Sequence, residues 1–335
     1  MSVLVGVDGG GSSTRAVVVR AEGETVEIMG RGSAGPSNPY IAGASQAAAH
    51  CETAAQEALT AAARIMPGLS RADIAAWGFG LAGVRRATDA AMVRPHLGSI
   101  VGRSLLFLDT DAVAAHAGAF GGGVGVVLVA GTGAISVARD SEGETFYADG
   151  WGPLLGDEGG GYWIGIEALK AVCRSADGRG PQTRLTAPVL SSLSARDTSE
   201  IVLRIYRNGF EREQIAKLSQ VVFDTAAGGA RVAAGIRDRA ADALAQSAAA
   251  TARALLTRRR ERGLNGGEGS AIELAVALSG GLFEDELFRG SVAYRVSERL
   301  VELKREFLPM AGWRIVRSQF DAATGAALLA RKLLA

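Results

Sequence analysis

The first apolar run, Val3-Leu4-Val5-Gly6-Val7, is strand-like, and a second run, Ala16 to Arg20, is β-branched and apolar. Asp8-Gly9-Gly10-Gly11 therefore joins two strands, not a strand and a helix. A third strand is expected over Thr25 to Gly30. Ser45 to Ile65 is Ala-rich with helical spacing and stops at Met66-Pro67-Gly68. Ala75 to Gly80 and Ser104 to Leu108 read as short strands, with a helix from Arg86 to Gly98 between them. The pattern then recurs. Val124 to Val129 is a strand, Ala130-Gly131-Thr132-Gly133 a turn, and Ala134 to Ala138 a strand. Leu4–Glu24 and Val126–Glu144 both run strand, Gly turn, strand, Glu-Gly-Glu, which is a weak internal duplication.

The second half is expected to be mostly helical, over Gly161 to Cys173, Ser199 to Tyr206, Glu211 to Ala226 and Gly229 to Arg262. A last strand, Leu274 to Leu278, ends at Ser279-Gly280-Gly281, and helices Ser291–Glu306 and Ala322–Leu334 close the pattern. Asp177 to Ala195 reads as a surface loop and Gly263 to Gly269 as a flexible connector.

Composition narrows the field. With 335 residues and 48% apolar content, two domains are the better expectation. A net charge of +1 gives no overall field favouring nucleic acid or an anionic membrane. Arg258-Arg259-Arg260 suits the solvated end of a helix. Cys51 and Cys173 form no CxxC pair, and His50, His96 and His116 have no HExxH spacing, so all five read as structural. There is no signal-peptide pattern and no span of roughly 20 apolar residues, so the chain is read as cytoplasmic, with no membrane partner.

The glycine turns carry the candidate chemistry. None of the four lysines follows a Gly, which excludes a Walker A loop, and Asp8–Thr14 leads into a strand, which excludes a Rossmann fingerprint. A Gly-rich hairpin can instead turn its backbone N–H groups toward an anion. Gly9, Gly10 and Gly11 would form such a cradle for ATP phosphates, with hydroxyls from Ser12, Ser13 and Thr14. Gly131-Thr132-Gly133 would form a second. Asp8 could hold Mg²⁺ through water. Phosphoryl transfer also needs a carboxylate at the acceptor hydroxyl. Asp109 and Asp111 end a strand and open a helix; Asp109 suits an N-cap, and Asp111 is the chosen base. Asp157, in a segment of glycines, carboxylates and two Trp, is a candidate for sugar hydroxyls. Trp163 reads as the start of a core helix and Asn38 as a turn residue.

Together these motifs resemble the N-acetylglucosamine kinase branch of the actin-like superfamily, within the group shared with the BadF/BadG activator ATPases. The carriers are Val7-Asp8-Gly9-Gly10-Gly11-Ser12-Ser13-Thr14, Asp109-Thr110-Asp111-Ala112, Ala130-Gly131-Thr132-Gly133, Gly150-Trp151-Gly152 with Gly156-Asp157-Glu158-Gly159, and Leu278-Ser279-Gly280-Gly281. The resemblance implies an α/β fold of two ribonuclease-H-like (actin-like ATPase) domains with ATP and sugar in the cleft between them. Residues 1–113 with a C-terminal helix 322–335 would form one domain and 114–321 the other.

It also implies roles. Asp111 would take the proton of a sugar 6-hydroxyl, and Asn38, Gly150, Trp151 and Asp157 would line the sugar pocket. Gly280 and Gly281 would meet the adenosine. A homodimer is the family's habit. Ala134 departs from the Ser or Thr often found there, and Gly228-Gly229 from Gly-Asp. The implied activity is an ATP- and Mg²⁺-dependent kinase of an amino sugar, N-acetylglucosamine first. Alternatives are glucosamine or N-acetylmuramic acid as substrate, a BadF-type activator ATPase, whose cluster cysteines Cys51 and Cys173 do not resemble, and a sugar-responsive regulator, for which no DNA-binding region is seen. A ROK kinase is disfavoured because its cysteine-rich zinc motif is missing.

Overall fold

A computed structural model describes residues 2–23, 25–207, 212–263, 272–307 and 310–334. Glu24, the first residue of the expected helix at Glu211, and most of the Gly263–Gly269 connector lie outside the described residues. The chain forms two compact units. The first comprises Met1–Val127, Arg139–Thr145 and Arg317–Ala335; the second comprises Leu128–Ala138 and Phe146–Val316.

The elements of the first stretch are β1 (Ser2–Gly9), β2 (Thr14–Glu22), β3 (Thr25–Ala34), α1 (Pro39–Ala42), α2 (Ala44–Ile65), β4 (Ile74–Leu81), α3 (Ala87–Val101), β5 (Leu105–Asp109) and α4 (Asp111–Phe120). The strands form one sheet of order β3-β2-β1-β4-β5. β1 pairs antiparallel with β2 and parallel with β4, and β5 is parallel to β4. Alternate residues of β1 face opposite sides. Val3, Val5 and Val7 join a core with α2, and Leu4 joins one with the last helix, α12 (Ala322–Arg331).

Glycines set how closely the helices approach. A Cβ on Gly6 would fall 1.9 Å from the Ala323 carbonyl, and one on Gly78 1.9 Å from that of Ala326. On the other face Gly30 and Gly32 leave room for the carbonyls of Ala58 and Ala54, at 2.1 and 2.2 Å. The Ala-rich stripe of α2 thus lies almost on the sheet backbone. α4 belongs to the first unit as well, because Gly325 of α12 admits the Ala114 carbonyl of α4 at 2.0 Å.

The chain continues as β6 (Gly125–Ala130), β7 (Ala134–Arg139), β8 (Thr145–Asp149), α5 (Gly161–Ala176), α6 (Thr186–Ser192), α7 (Glu200–Tyr206), α8 (Arg212–Ala216), α9 (Leu218–Ala227), α10 (Arg231–Glu261), β9 (Ile272–Ser279), α11 (Glu286–Glu306) and β10 (Met310–Val316). Its sheet has order β10-β9-β6-β7-β8. Read from β8, this is the strand order of the first sheet, so the duplication read from the turns extends to whole sheets. In the second unit α10 buries Ala233, Ile236, Ala240 and Leu244 at helical spacing, and the Thr251 and Ser136 hydroxyls, 2.7 Å apart, link α10 to β7.

The expected elements need correction, beginning with the short helix α1, which is additional. β8 and β10 are additional strands; both are edge strands, where alternation is weak. The expected loop at 177–195 contains α6, which Leu185, Val189 and Leu193 anchor by burial at four-residue spacing. The single helix expected up to Ala226 is two, α8 and α9, divided at Lys217. Finally α11 begins earlier than Ser291, at Glu286, where Asp285 caps it by accepting the Phe288 N–H at 2.8 Å.

His116 of α4 is fully buried, and its Nε2 donates to the Gly125 carbonyl at 3.1 Å. Burial pushes its pKa down to about 4. The unfolded chain would take up that proton near pH 6.5, so the unfolded state binds more protons between the two values. His116 therefore makes stability fall as pH falls from about 6.5 to 4, by on the order of 3 kcal/mol. Denaturant unfolding of wild type and His116→Gln across this range should show the steeper pH slope in wild type; parallel slopes would contradict it.

Candidate active site

In the first unit the site is laid out by sheet register. Asp8 at the end of β1 pairs with Gly80 of β4, and Gly80 pairs with Asp109 of β5. Residues in register share a face, and neighbouring strands lie about 4.8 Å apart. Two carboxylates thus flank a position with no side chain. A Cβ on Gly80 would sit 2.4 Å from the Ala114 Cβ and 3.3 Å from the Thr110 carbonyl. The start of α4 occupies that space and brings Asp111 to the strand ends. Thr110 is the N-cap, its hydroxyl accepting the Val113 N–H at 3.2 Å, so the cap expected at Asp109 is one residue further on. Asp111 is the first helical residue, and its Oδ1 accepts the Ala112 N–H at 2.9 Å.

The charges register this closeness. The Asp8 carboxyl is pushed up to about 7, first by burial and then by the Asp111 charge. Arg15, opposite Asp8 in the β1–β2 ladder, pulls it down, and Asp321, the N-cap of α12, pushes it up. Burial also raises Asp109, against the Thr110 N–H and the Arg139 charge. A hard cation would relieve the repulsion between Asp8 and Asp111. No cluster of three or more His, Cys, Asp or Glu side chains suited to a metal is found among the described residues. The Asp8 carboxylate is a hard oxygen donor of the kind that Mg²⁺ would share with water and phosphate oxygens.

The first glycine turn is closed by the Gly10 N–H, which donates to the Ser13 carbonyl at 2.9 Å. That amide points into the turn. Ser12 and Ser13 are exposed, but Thr14 is buried, and its hydroxyl donates to the Gly35 carbonyl at 2.6 Å and lies 2.8 Å from Ser37 Oγ. The expected third hydroxyl of the cradle faces the core. The Gly10 carbonyl accepts the N–H groups of Ser37 and Asn38, at 3.0 and 3.1 Å, and a Cβ on Gly9 would strike Ser37 Oγ at 2.0 Å. The turn and the Asn38 loop are thus one body. Asn38 caps α1, its Oδ1 accepting the Tyr40 N–H at 2.9 Å. Tyr40 Oη in turn donates to Asp89 at 2.6 Å and fixes α1 to α3.

In the second unit Gly131 repeats the role of Gly10. Its N–H donates to the Gly133 carbonyl at 2.9 Å. The carbonyls of Gly131 and Thr132 accept the first amides of α5, from Gly161 and Tyr162, at 2.8 and 3.0 Å. Gly280, at φ 107°, lies against Ala130, whose carbonyl would be 2.3 Å from a Cβ there; Gly281 beside it is exposed. Asp157 lies under Gly133, where a Cβ would meet its Oδ2 at 2.4 Å. Its carboxylate is ion-paired with Arg212, whose guanidinium stands 5.8 Å from the Tyr162 ring centre. Burial raises the Asp157 pKa and Arg212 lowers it. Gly150 packs on Ile135, and Trp151 is 62% exposed. Trp163 lies within α5, as expected of a helix residue.

The structure thus gathers Asp8, Gly9–Thr14, Asn38, Asp109 and Asp111 in the first unit, and Gly131–Gly133, Gly150, Trp151, Asp157, Gly280 and Gly281 around the second sheet. Arg15, Asp149, Arg212 and Asp321 are site neighbours that the sequence reading passed over. Strand alternation from Asp8 across the hairpin could have found Arg15. Arg212 contacts Asp157 across 55 residues, with no local signal.

Residues 5–330 match the BadF/BadG/BcrA/BcrD ATPase family. The chain belongs to that family. Among its relatives, an N-acetylmuramic acid/N-acetylglucosamine kinase of Clostridium acetobutylicum is 31% identical over 66% of this chain and 70% of its own length. An N-acetyl-D-glucosamine kinase of Dictyostelium discoideum is 30% identical over 72% of this chain and 76% of its own. The crystal structure of a proposed N-acetylglucosamine kinase from Chromobacterium violaceum aligns with a TM-score of 0.69 and 27% identity, over 98% of this chain and 99% of that one. The family match spans both sheets and every motif named above. No helix among the described residues is long and apolar enough to cross a membrane.

The electrostatic coupling at the strand ends is directly measurable. In Asp111→Asn without metal, the Asp8 carboxyl, followed by carbon NMR, should titrate below about 7 yet above 3.8, because burial, the larger cause, remains. An unmoved Asp8 titration would mean that the two carboxylates do not share a field.

Proposed function

We propose that this chain is an ATP-dependent kinase that phosphorylates the 6-hydroxyl of an amino sugar, with N-acetylglucosamine as the first candidate. The observation that carries the reading is Asp111 at the start of α4, its Cα 3.5 Å from where a Cβ on Gly80 would sit, with Asp8 in register with Gly80 on the next strand and a closed glycine turn leading out of that strand. A kinase needs these parts close together: a carboxylate for the acceptor hydroxyl, a hard anionic ligand on the metal side, and a backbone turn for phosphate. The names of the Clostridium and Dictyostelium relatives support an amino sugar over other alcohols.

In this reading Asp111 orients the sugar hydroxyl and accepts its proton as the hydroxyl oxygen bonds to the γ-phosphorus of ATP and the bond from that phosphorus to the departing ADP breaks. The fixed start of α4 helps, since a base that is already in place needs no ordering during the reaction. Asp8 would hold Mg²⁺ through water. The metal, when bound, supplies charge neutralisation on the triphosphate. The turns Gly9–Ser13 and Gly131–Gly133 would bind phosphate oxygens. Gly280 and Gly281 would border the adenosine. Asn38, Gly150, Trp151 and Asp157 would contact the sugar, with the Arg212 ion pair opposing the effect of burial on the Asp157 carboxyl.

A coupled ADP-release assay over N-acetylglucosamine, glucosamine, N-acetylmuramic acid and glucose tests the reading. ADP release should depend on an amino sugar and be fastest with N-acetylglucosamine. Asp111→Ala should lower turnover by about 10²-fold or more with the fold intact. ATP turnover indifferent to sugar would favour an activator ATPase. A near-wild-type rate in Asp111→Ala would remove Asp111 from the chemistry.

A further inference from the structure

Asp149, the last residue of β8, has φ 63°, a left-handed conformation that side chains other than glycine seldom adopt. The same region recurs along the segment that follows, at Gly150, Gly152, Asp157 (φ 56°) and Gly159. Non-glycine residues held this way cluster where a site needs a fixed shape. Here the holding group is visible. The two carboxylate oxygens of Asp149 accept two successive backbone N–H groups, Oδ1 from Asp157 at 2.7 Å and Oδ2 from Glu158 at 2.8 Å. A Cβ on Gly156 would fall 2.2 Å from Oδ1, so glycine is required where the carboxylate comes in.

The bonds close a loop at its base. Residues 150–156 project from it, with Trp151, Leu154 and Leu155 at 62%, 90% and 82% exposure. The Gly156 N–H donates to the Gly152 carbonyl at 2.9 Å and keeps the tip compact. Beyond the base, the Asp157 side chain turns under Gly133 and meets Arg212. One carboxylate therefore fixes both the root of the exposed loop and the backbone that aims Asp157.

We propose that Asp149 is a positioning residue for the acceptor sugar: by clamping the amides of Asp157 and Glu158 it presets Trp151 and Asp157 for the substrate. This rests on the kinase reading above. Charge-assisted bonds to backbone N–H groups are among the stronger hydrogen bonds, and losing such a bond weakens an interaction by about 10- to 100-fold. The clamp bonds neither glycine turn directly, and although Asp157 also lies under Gly133, its loss should fall more heavily on the sugar than on ATP.

The test compares Asp149→Gly, which keeps the backbone angle but removes both acceptors, with Asp149→Asn, which keeps one. In Asp149→Gly the KM for N-acetylglucosamine should rise about 10-fold or more while the KM for ATP stays within about twofold, and Asp149→Asn should fall between this variant and wild type. Hydrogen exchange should find the Asp157 and Glu158 amides slow in wild type and fast in Asp149→Gly. The proposal is overturned by a sugar KM unchanged in Asp149→Gly, by sugar and ATP KM rising in proportion, or by unprotected Asp157 and Glu158 amides in wild type. The last readout needs no folded variant. A wild-type chain that phosphorylates no sugar would overturn the kinase reading, and exchange would still decide whether the clamp exists.

Discussion

The candidate chemistry depends on the missing side chain at Gly80. Asp8, Gly80 and Asp109 form one row across three parallel strands. With any larger residue in the middle, α4 could not reach the sheet, since a Cβ there would overlap Ala114. Because α4 does reach it, Asp111 arrives beside Asp8, and two carboxylates share a partly desolvated strand end. Such an arrangement is unfavourable by itself. In the proposed reading a cation and an anionic phosphate would offset it. The same device, glycine in place of a side chain so that backbone meets backbone, seats α12 at Gly6 and Gly78 and α2 at Gly30 and Gly32.

The two sheets share a strand order, and their first hairpins share a turn chemistry. In each, a glycine N–H closes the turn, from Gly10 to Ser13 and from Gly131 to Gly133. What surrounds the turns differs. The first is backed by Ser37 and Asn38, so a proposed phosphate turn is bonded to a candidate sugar residue. The second is backed by Asp157, Arg212 and the start of α5. Each unit thus couples a glycine turn to a residue with a proposed role at the sugar, through a backbone bond in the first and close packing in the second.

Much of this was legible locally. Strand alternation, runs of glycine and a carboxylate at a strand end identify Asp8, both turns and Asp111 without tertiary information, because those features are set by neighbours in the chain. The unreadable parts are set by distant contacts. Thr14 looks like a third hydroxyl of the cradle beside Ser12 and Ser13, but it starts a strand and its alternate position turns it toward Ser37 and Gly35. Asp149 reads as an ordinary turn residue until the loop folds back eight residues to reach it. Arg212 meets Asp157 only when α8 packs on α5. β10 and β8 lie at sheet edges, and α6 has too few turns for its apolar spacing to stand out.

The central claim is that the carboxylate pair at the end of the first sheet serves phosphoryl transfer to a sugar hydroxyl. Its most direct test is the identity of the product. Incubated with ATP, Mg²⁺ and ¹³C-labelled N-acetylglucosamine, the wild-type chain should yield a sugar phosphate whose C6 resonance is split by coupling to phosphorus, and the Asp111→Ala chain should yield almost none. Phosphorus at another carbon, or ATP consumed with only inorganic phosphate formed, would contradict the account.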